Sequence, residues 1–111
     1  AAAARELGVA LAQDPLPQEN LFIRSDHYSF VKEGVPSVFL VPGWANGGEK
    51  AFSEFLKTHY HKPSDDMNLP IDYDALVLFS DLNYRISRAL ADAPEAPAWT
   101  AGDFFGEAFS K

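Results

Sequence analysis

A short apolar run near the middle of the chain, residues 37–41, lies between prolines at positions 36 and 42. In an extended segment successive side chains point to opposite faces, so this run would place apolar groups on both faces. That pattern is typical of a strand that is covered on both sides by other elements. Proline cannot donate to a strand ladder and favours turns, so the two prolines bound the run. The run therefore predicts a central β-strand.

Helical patterns flank this run on both sides. They cover four segments, residues 1–7, 25–34, 49–56 and 72–90. The last is the clearest, because its apolar residues recur at every third or fourth position. Two further short apolar segments, 9–12 and 21–23, are interpreted as strands or extended pieces. This alternation of helices and strands predicts an α/β fold.

The length of 111 residues fits one domain or a part of one. Residues 1–4 have the composition of a helix interior rather than of a protein's beginning, so we expect the chain to belong to a longer protein. We interpret residues 1–111 as a single partial domain. Its last part, 93–111, is expected to be a Pro/Ala linker followed by a short aromatic tail that docks on the body.

The composition argues against several classes of function. The net charge of -7 and the pI near 4.7 disfavour nucleic-acid partners, whose phosphates attract surfaces rich in Lys and Arg. The chain contains no cysteine, which excludes disulfides, thiolate metal sites and cysteine nucleophiles. No apolar run approaches the roughly 20 residues of a membrane span. The sequence also lacks the G-x-S-x-G element of serine hydrolases and the glycine-rich motifs of nucleotide sites.

Histidines and aspartates are the main candidates for chemistry. They are His27, His59 and His61, with Asp26, Asp65 and Asp66 nearby in the sequence. Neutral imidazole and carboxylate oxygen are the usual zinc ligands where no thiolate is present. Three histidines are nevertheless an ordinary number for this length, and a single histidine is more often a surface residue than a ligand.

The surroundings of His61 favour a binding role. Pro63 restricts the loop, and the side chains of Ser64 and Asp65 can bond to the local backbone. A rigid loop loses less entropy when it positions a ligand. The same residues would also serve as a simple turn and cap before the long helix, and their spacing leaves both interpretations open.

A second cluster is Arg24-Ser-Asp-His-Tyr-Ser-Phe30, which is followed by Gly34-Val-Pro36. If Ser25 or Asp26 caps a helix, His27 lies in its first turn, beside N–H groups that attract anions. The alternative is an ordinary helix cap followed by a histidine on the surface. The residues alone favour that alternative.

A complete zinc site inside the chain would require all three histidines, His27, His59 and His61. Positions 59 and 61 would face the same side only on a regular strand. Pro63 and the polar surroundings argue against such a strand. We therefore do not expect a complete internal three-histidine site.

The two clusters together resemble a known family. The Arg24–Phe30 segment, Gly34-Val-Pro36, an apolar run, and Tyr60-His-Lys-Pro-Ser-Asp65 before a long helix are similar to the end of a co-catalytic zinc aminopeptidase domain. That family includes bacterial leucyl-type aminopeptidases, glutamate carboxypeptidase and glutaminyl cyclase. The resemblance spans residues 21–105 and is closest to a bacterial branch with a similar Trp-containing tail. It implies the C-terminal part of a three-layer α/β/α domain with a mixed central sheet.

The resemblance also implies roles for individual residues. His61 matches the family's last zinc ligand, and Tyr60 matches a catalytic position that contacts the scissile carbonyl. Asp26 and His27 match a motif on the wall of the active site, which implies substrate binding or support of other groups rather than direct zinc ligation. His59 matches no assigned position.

The family's other groups do not occur in this sequence, which contains neither a His-x-Asp motif nor a Glu-Glu pair. The resemblance therefore implies that the remainder of the parent catalytic domain is the partner that supplies the catalytic glutamate and the other ligands. Two zinc ions would occupy the complete site, with at most one ligand from this chain. The substrate would be a peptide that loses its N-terminal residue, and the isolated chain would be inactive. Among the bacterial relatives, a periplasmic or secreted location is common.

Three alternatives remain at this stage. The first is a relative of the same fold that binds a partner and has lost its zinc chemistry. The second is amide chemistry like that of glutaminyl cyclase, with a single zinc. The third is an unrelated α/β interaction module whose histidines are incidental.

Overall fold

The computed structural model describes residues 1–110, and about half of the chain is helical. The α-helices are α1 (Ala2–Glu6), α2 (Tyr28–Val31), α3 (Gly48–Thr58), α4 (Tyr73–Ala91) and α5 (Phe104–Phe109). Three short 3-10 turns occupy Pro17–Glu19, Leu21–Arg24 and Ala45–Gly47. Within residues 1–110 no segment forms a β-strand.

The predicted α/β fold with a mixed central sheet is therefore wrong for the described chain. Residues 37–41 and 9–12 have no regular secondary structure, and residues 21–23 lie in a 3-10 turn. Val38 is 62% exposed and Phe39 is 37% exposed, so the middle run is not covered on both faces. The physical reason is that a strand requires hydrogen bonds to a neighbouring strand. An apolar sequence pattern measures side-chain hydrophobicity and does not report whether such a neighbour exists.

The two longer predicted helices are confirmed. α3 begins after Gly47, whose positive φ of 87° reverses the chain, and it covers the predicted segment 49–56. α4 covers nearly all of 72–90, and the Asp72 carboxylate accepts a hydrogen bond of 2.9 Å from the Ala75 N–H near its start. At 19 residues α4 is the longest helix, yet no helix among residues 1–110 is long and apolar enough to cross a membrane.

The chain divides into two compact units. The first comprises residues 1–13 and 42–89, and its buried apolar side chains are Ala4 and Leu82. In this unit Arg85 on α4 donates to Glu6, at 2.9 Å, and to Asp81, at 3.2 Å. The hydrogen bonds to Asp81 and then Glu6 raise the pKa of the Arg85 guanidinium. The Glu6 contact ties the N-terminal segment to a residue 79 positions later.

The second unit comprises residues 14–41 and the described residues from Leu90 onward. Its core centres on Val31, which is fully buried at the end of α2. The aromatic tail within 93–111 contains α5, and Asp103 caps this helix by accepting hydrogen bonds from the N–H groups of Phe105 and Gly106. This unit carries the segment with Asp26 and His27.

Candidate functional site

The loop that carries His61 begins where α3 ends. The N–H groups of His59 and Tyr60 both donate to the Phe55 carbonyl oxygen, at 2.9 Å and 3.0 Å. Such shared acceptors are common at helix C-termini, where the last carbonyls lack regular partners. Tyr60 also packs its ring against Phe55, with the ring centroids 6.0 Å apart. Helix α3 therefore holds the start of the loop at two points, through the backbone and through an aromatic contact.

His61 has a left-handed backbone with φ of 58°. This region is uncommon for residues other than glycine, although histidine visits it more readily than most. The conformation turns the chain sharply after the helix, and the Lys62 N–H then donates to the His59 carbonyl oxygen at 2.9 Å. The exposed imidazole stacks on the Tyr60 ring, with centroids 3.8 Å apart and an interplanar angle of 22°. Tyr60 and His61 are thus brought into direct contact.

A small polar network closes the loop. The Oγ of Ser64 donates to the Thr58 carbonyl oxygen at 3.4 Å and lies 3.0 Å from the Nδ1 of His59. The Lys62 ammonium donates to the Lys57 carbonyl oxygen near the end of α3. The expectation that Ser64 bonds to local backbone is confirmed. His59, which the sequence could not assign, is a structural member of this loop.

His27 lies in the second unit and is not the surface residue that the residues alone favoured. Its ring stacks on Phe39, with centroids 5.0 Å apart and an angle of 16°, and meets the edge of Phe22 at 4.7 Å. Its Nε2 is buried and has no hydrogen-bond partner among the described residues. Buried polar atoms are rarely left unpaired, so this nitrogen marks a site where a partner is needed.

The helix cap expected at Ser25 or Asp26 is not formed. α2 begins at Tyr28, and the residue before it, His27, makes no side-chain capping bond. The Asp26 carbonyl oxygen accepts from the Ser29 N–H at 3.1 Å, and the residue is exposed. His27 therefore precedes the helix rather than lying in its first turn.

Sequence reasoning missed the aromatic neighbours of His27, Phe22 and Phe39. Both were interpreted only as parts of short apolar segments. Their contact with one histidine depends on how the chain returns on itself within the unit, and no spacing rule reports such a return. The available signal was the presence of an aromatic residue in each apolar segment beside the Arg24–Phe30 cluster.

Among residues 1–110 no group of three or more histidine, aspartate or glutamate side chains is arranged to hold a metal ion. The donor chemistry of His61, an exposed imidazole on a closed loop, fits a single position in a zinc site. The described residues fit one ligand and not a complete zinc site.

A comparison with known protein families identifies the class of protein. A family model of peptidases, which are hydrolases of peptide bonds, matches residues 1–87 and includes both the His27 segment and the His61 loop. The chain belongs to peptidase family M28, whose members are generally zinc-dependent metallopeptidases. Neither a curated protein nor a solved structure matches the chain. The membership confirms the broader family resemblance.

Proposed function

We propose that this chain is the C-terminal portion of the catalytic domain of a bacterial zinc aminopeptidase, which removes N-terminal residues from peptides. One observation carries the proposal. The family match includes a closed loop on which His61 adopts a left-handed backbone and leaves its imidazole exposed. Unfavourable backbone conformations cost about 1–3 kcal/mol and persist mainly where the surrounding structure imposes them, often at functional sites.

His61 is the zinc ligand in this proposal. The His59–Ser64 contact and the Lys62–Lys57 bond support that role, because they hold the loop without using the His61 ring. The remaining ligands and the catalytic base would come from the remainder of the parent domain, because the family's His-x-Asp motif and Glu-Glu pair do not occur in this sequence. Two zinc ions in the complete site would lower the pKa of a bound water and polarise the peptide carbonyl.

Tyr60 is the proposed catalytic residue of this chain. Its ring lies between Phe55, at 6.0 Å, and His61, at 3.8 Å, so its hydroxyl is carried on a side chain that is held on two sides. A phenolic hydroxyl donates a hydrogen bond, and such donors stabilise a carbonyl oxygen as it becomes negative. Tyr60 would act on the scissile carbonyl in this way.

Asp26 and His27 are proposed to line the substrate pocket. The Nε2 of His27 supports this role, because it is a polar atom that is already desolvated and has no partner in the part of the chain that the structure describes. A polar group on the substrate, or a group from the remainder of the domain, would supply that partner. The exposed carboxylate of Asp26 is available to a peptide amine.

The experiment compares the intact peptidase with His61→Ala on a panel of aminoacyl-anilides, with zinc and with chelator. We expect hydrolysis by the wild type, loss of hydrolysis with chelator, and loss of both activity and bound zinc in His61→Ala. Changes around a metal ligand lower activity by about 10–100-fold, and loss of the ligand itself should exceed that range. His59→Gln is the matched control, because glutamine can still donate to Ser64.

Each result bears on a different part of the proposal. Full activity and full zinc content in His61→Ala would refute the ligand assignment. A zinc-loaded wild type that cleaves no anilide but cyclises N-terminal glutamine would identify the cyclase alternative. A wild type that does neither would identify a non-catalytic relative.

A further inference from the structure

The aromatic tail lies outside the part of the chain that matches the family model. The match ends at residue 87. The aromatic tail begins at Trp99 and includes α5, Phe104–Phe109. These residues pack within the second unit, against the segment 14–41 that contains His27. The tail is therefore an addition to the matched region that contacts one of its two candidate sites.

The tail is fixed to the segment after α2 at two points. The indole N–H of Trp99 donates to the Gly34 carbonyl oxygen at 2.9 Å. A Cβ at Gly34 would lie 2.9 Å from the Phe109 carbonyl oxygen, so glycine allows the two backbones to approach closely. Phe109 also meets the Tyr28 ring edge-on, with centroids 6.4 Å apart. These contacts hold Trp99, which precedes α5, and Phe109, which ends it.

Phe105 lies between Trp99 and Phe109 in the sequence and is linked to His27 through Phe22. Its ring packs on Phe22, with centroids 4.9 Å apart, and meets the Tyr28 ring edge-on at 6.1 Å. Phe22 in turn meets the edge of the His27 ring at 4.7 Å. A continuous set of ring contacts therefore runs from the tail through Phe22 to the imidazole.

This arrangement limits the movement of His27. Phe39 stacks on one face of the imidazole, and Phe22 contacts it edge-on. Phe105 packs directly on Phe22, and close packing transmits a displacement of one side chain to its neighbours, so we expect loss of the Phe105 ring to move Phe22. Within residues 1–110, the buried Nε2 of His27 finds no hydrogen-bond partner that would hold the ring.

We propose that Phe105 is a positioning residue for His27, which it holds through Phe22. The tail thus fixes the orientation of the imidazole and of its buried Nε2. This statement rests on the proposed function only in that it assigns His27 to the substrate pocket. The contacts that carry it lie within the second unit and do not involve zinc.

The test uses the intact protein with Phe105→Ala and Phe105→Leu. The control is Phe104→Ala, because Phe104 is the preceding residue of the same helix and its side chain is 73% exposed. Its ring meets Phe105 edge-on, with centroids 5.3 Å apart, so this variant removes a neighbour of Phe105 while leaving the Phe105 ring in place. The first measurement is the NMR spectrum of the imidazole nitrogens and protons of His27, assigned by their loss in His27→Gln. We expect the His27 signals to shift most in Phe105→Ala, to shift less in Phe105→Leu, and to shift least in Phe104→Ala.

The second measurement separates positioning from stability. Phe105→Ala should raise KM for peptide substrates by about tenfold while kcat and zinc content change little, because the pocket wall and not the metal is displaced. If Phe105→Ala does not fold, Phe105→Leu supplies the same comparison. Unchanged His27 signals in the folded variant, or shifted signals with unchanged KM, would overturn the proposal.

Failure of this inference and failure of the proposed function can be distinguished. A wild type without any hydrolysis would refute the peptidase activity and the pocket role of His27. The NMR comparison would still decide whether Phe105 fixes the imidazole. Hydrolysis together with unmoved His27 signals would retain the peptidase and refute only the positioning role.

Discussion

The indole N–H of Trp99 donates a hydrogen bond to the carbonyl oxygen of Gly34, 2.9 Å away and 65 positions earlier in the chain. Gly34 has a positive φ of 84°, a conformation that favours glycine. The bond therefore joins the tail to a turn that other residues could adopt only with strain. It is a long-range contact of the second unit and does not involve the His61 loop.

Replacement of Trp99 by phenylalanine removes this donor and leaves the partly buried Gly34 carbonyl oxygen unpaired. We expect the free energy of unfolding to fall by about 1–3 kcal/mol, the usual cost of an unsatisfied buried polar group. Urea unfolding measures the change, with Trp44→Phe as the control for loss of an indole elsewhere. Equal stability of Trp99→Phe and the wild type would show that the bond contributes nothing.

Val31 tests the small core of the second unit. Its side chain is fully buried, with 0% accessible surface. Val31→Ala therefore removes two buried methyl groups and leaves a cavity. We expect a loss of about 2 kcal/mol in the free energy of unfolding. Val38→Ala makes the same chemical change at a side chain that is 62% exposed and should alter stability by less than about 0.5 kcal/mol. Equal effects at both positions would contradict this core assignment.

Particular segments show what the sequence could predict about the fold. The periodic apolar residues of α4 and the cap at Asp72 act within one helix, so local rules located that helix to within a residue or two. Residues 37–41 have an equally clear pattern, but a strand depends on a second segment that local rules do not see. The family resemblance correctly identified the peptidase family, whereas the sheet that it implied is absent from the described chain.

Gly106 is a second point at which the tail requires a particular residue. A Cβ added there would lie 2.6 Å from the Trp99 Cβ, closer than real atoms approach. Glycine to alanine inside a helix usually stabilises by about 1 kcal/mol, but the clash reverses the sign. We expect Gly106→Ala to lower the unfolding free energy by about 1–3 kcal/mol.

The control for this change is Gly43→Ala, because an added Cβ at that position has nothing within 4 Å. Its effect on stability should lie within about 0.5 kcal/mol of zero. Thermal or urea unfolding of the two variants in parallel measures the difference. A Gly106→Ala variant that is more stable than the wild type would show that α5 does not pack against Trp99.

The sequence predicted some residues of the candidate site but not their geometry. The Tyr60–His61 segment was identified as a candidate by its motif, and the structure brings the two rings into contact, with centroids 3.8 Å apart. The left-handed φ of His61 could not be predicted, since no glycine or asparagine marks the turn. The stack of His27 on Phe39 was also unforeseen, because it joins positions 12 residues apart that share no helical or strand register.

Tyr60→Phe tests the chemistry proposed for the His61 loop in the intact peptidase. The variant retains the ring that contacts Phe55 and His61 and removes only the hydroxyl. If that hydroxyl stabilises the developing negative charge, kcat should fall by about 100- to 1,000-fold, with zinc content unchanged. Tyr73→Phe is the matched control, because Tyr73 is 63% exposed and should leave kcat unaltered. A kcat for Tyr60→Phe equal to that of the wild type would remove Tyr60 from the catalytic machinery, and a loss of zinc instead would indicate that the hydroxyl acts by holding the His61 loop.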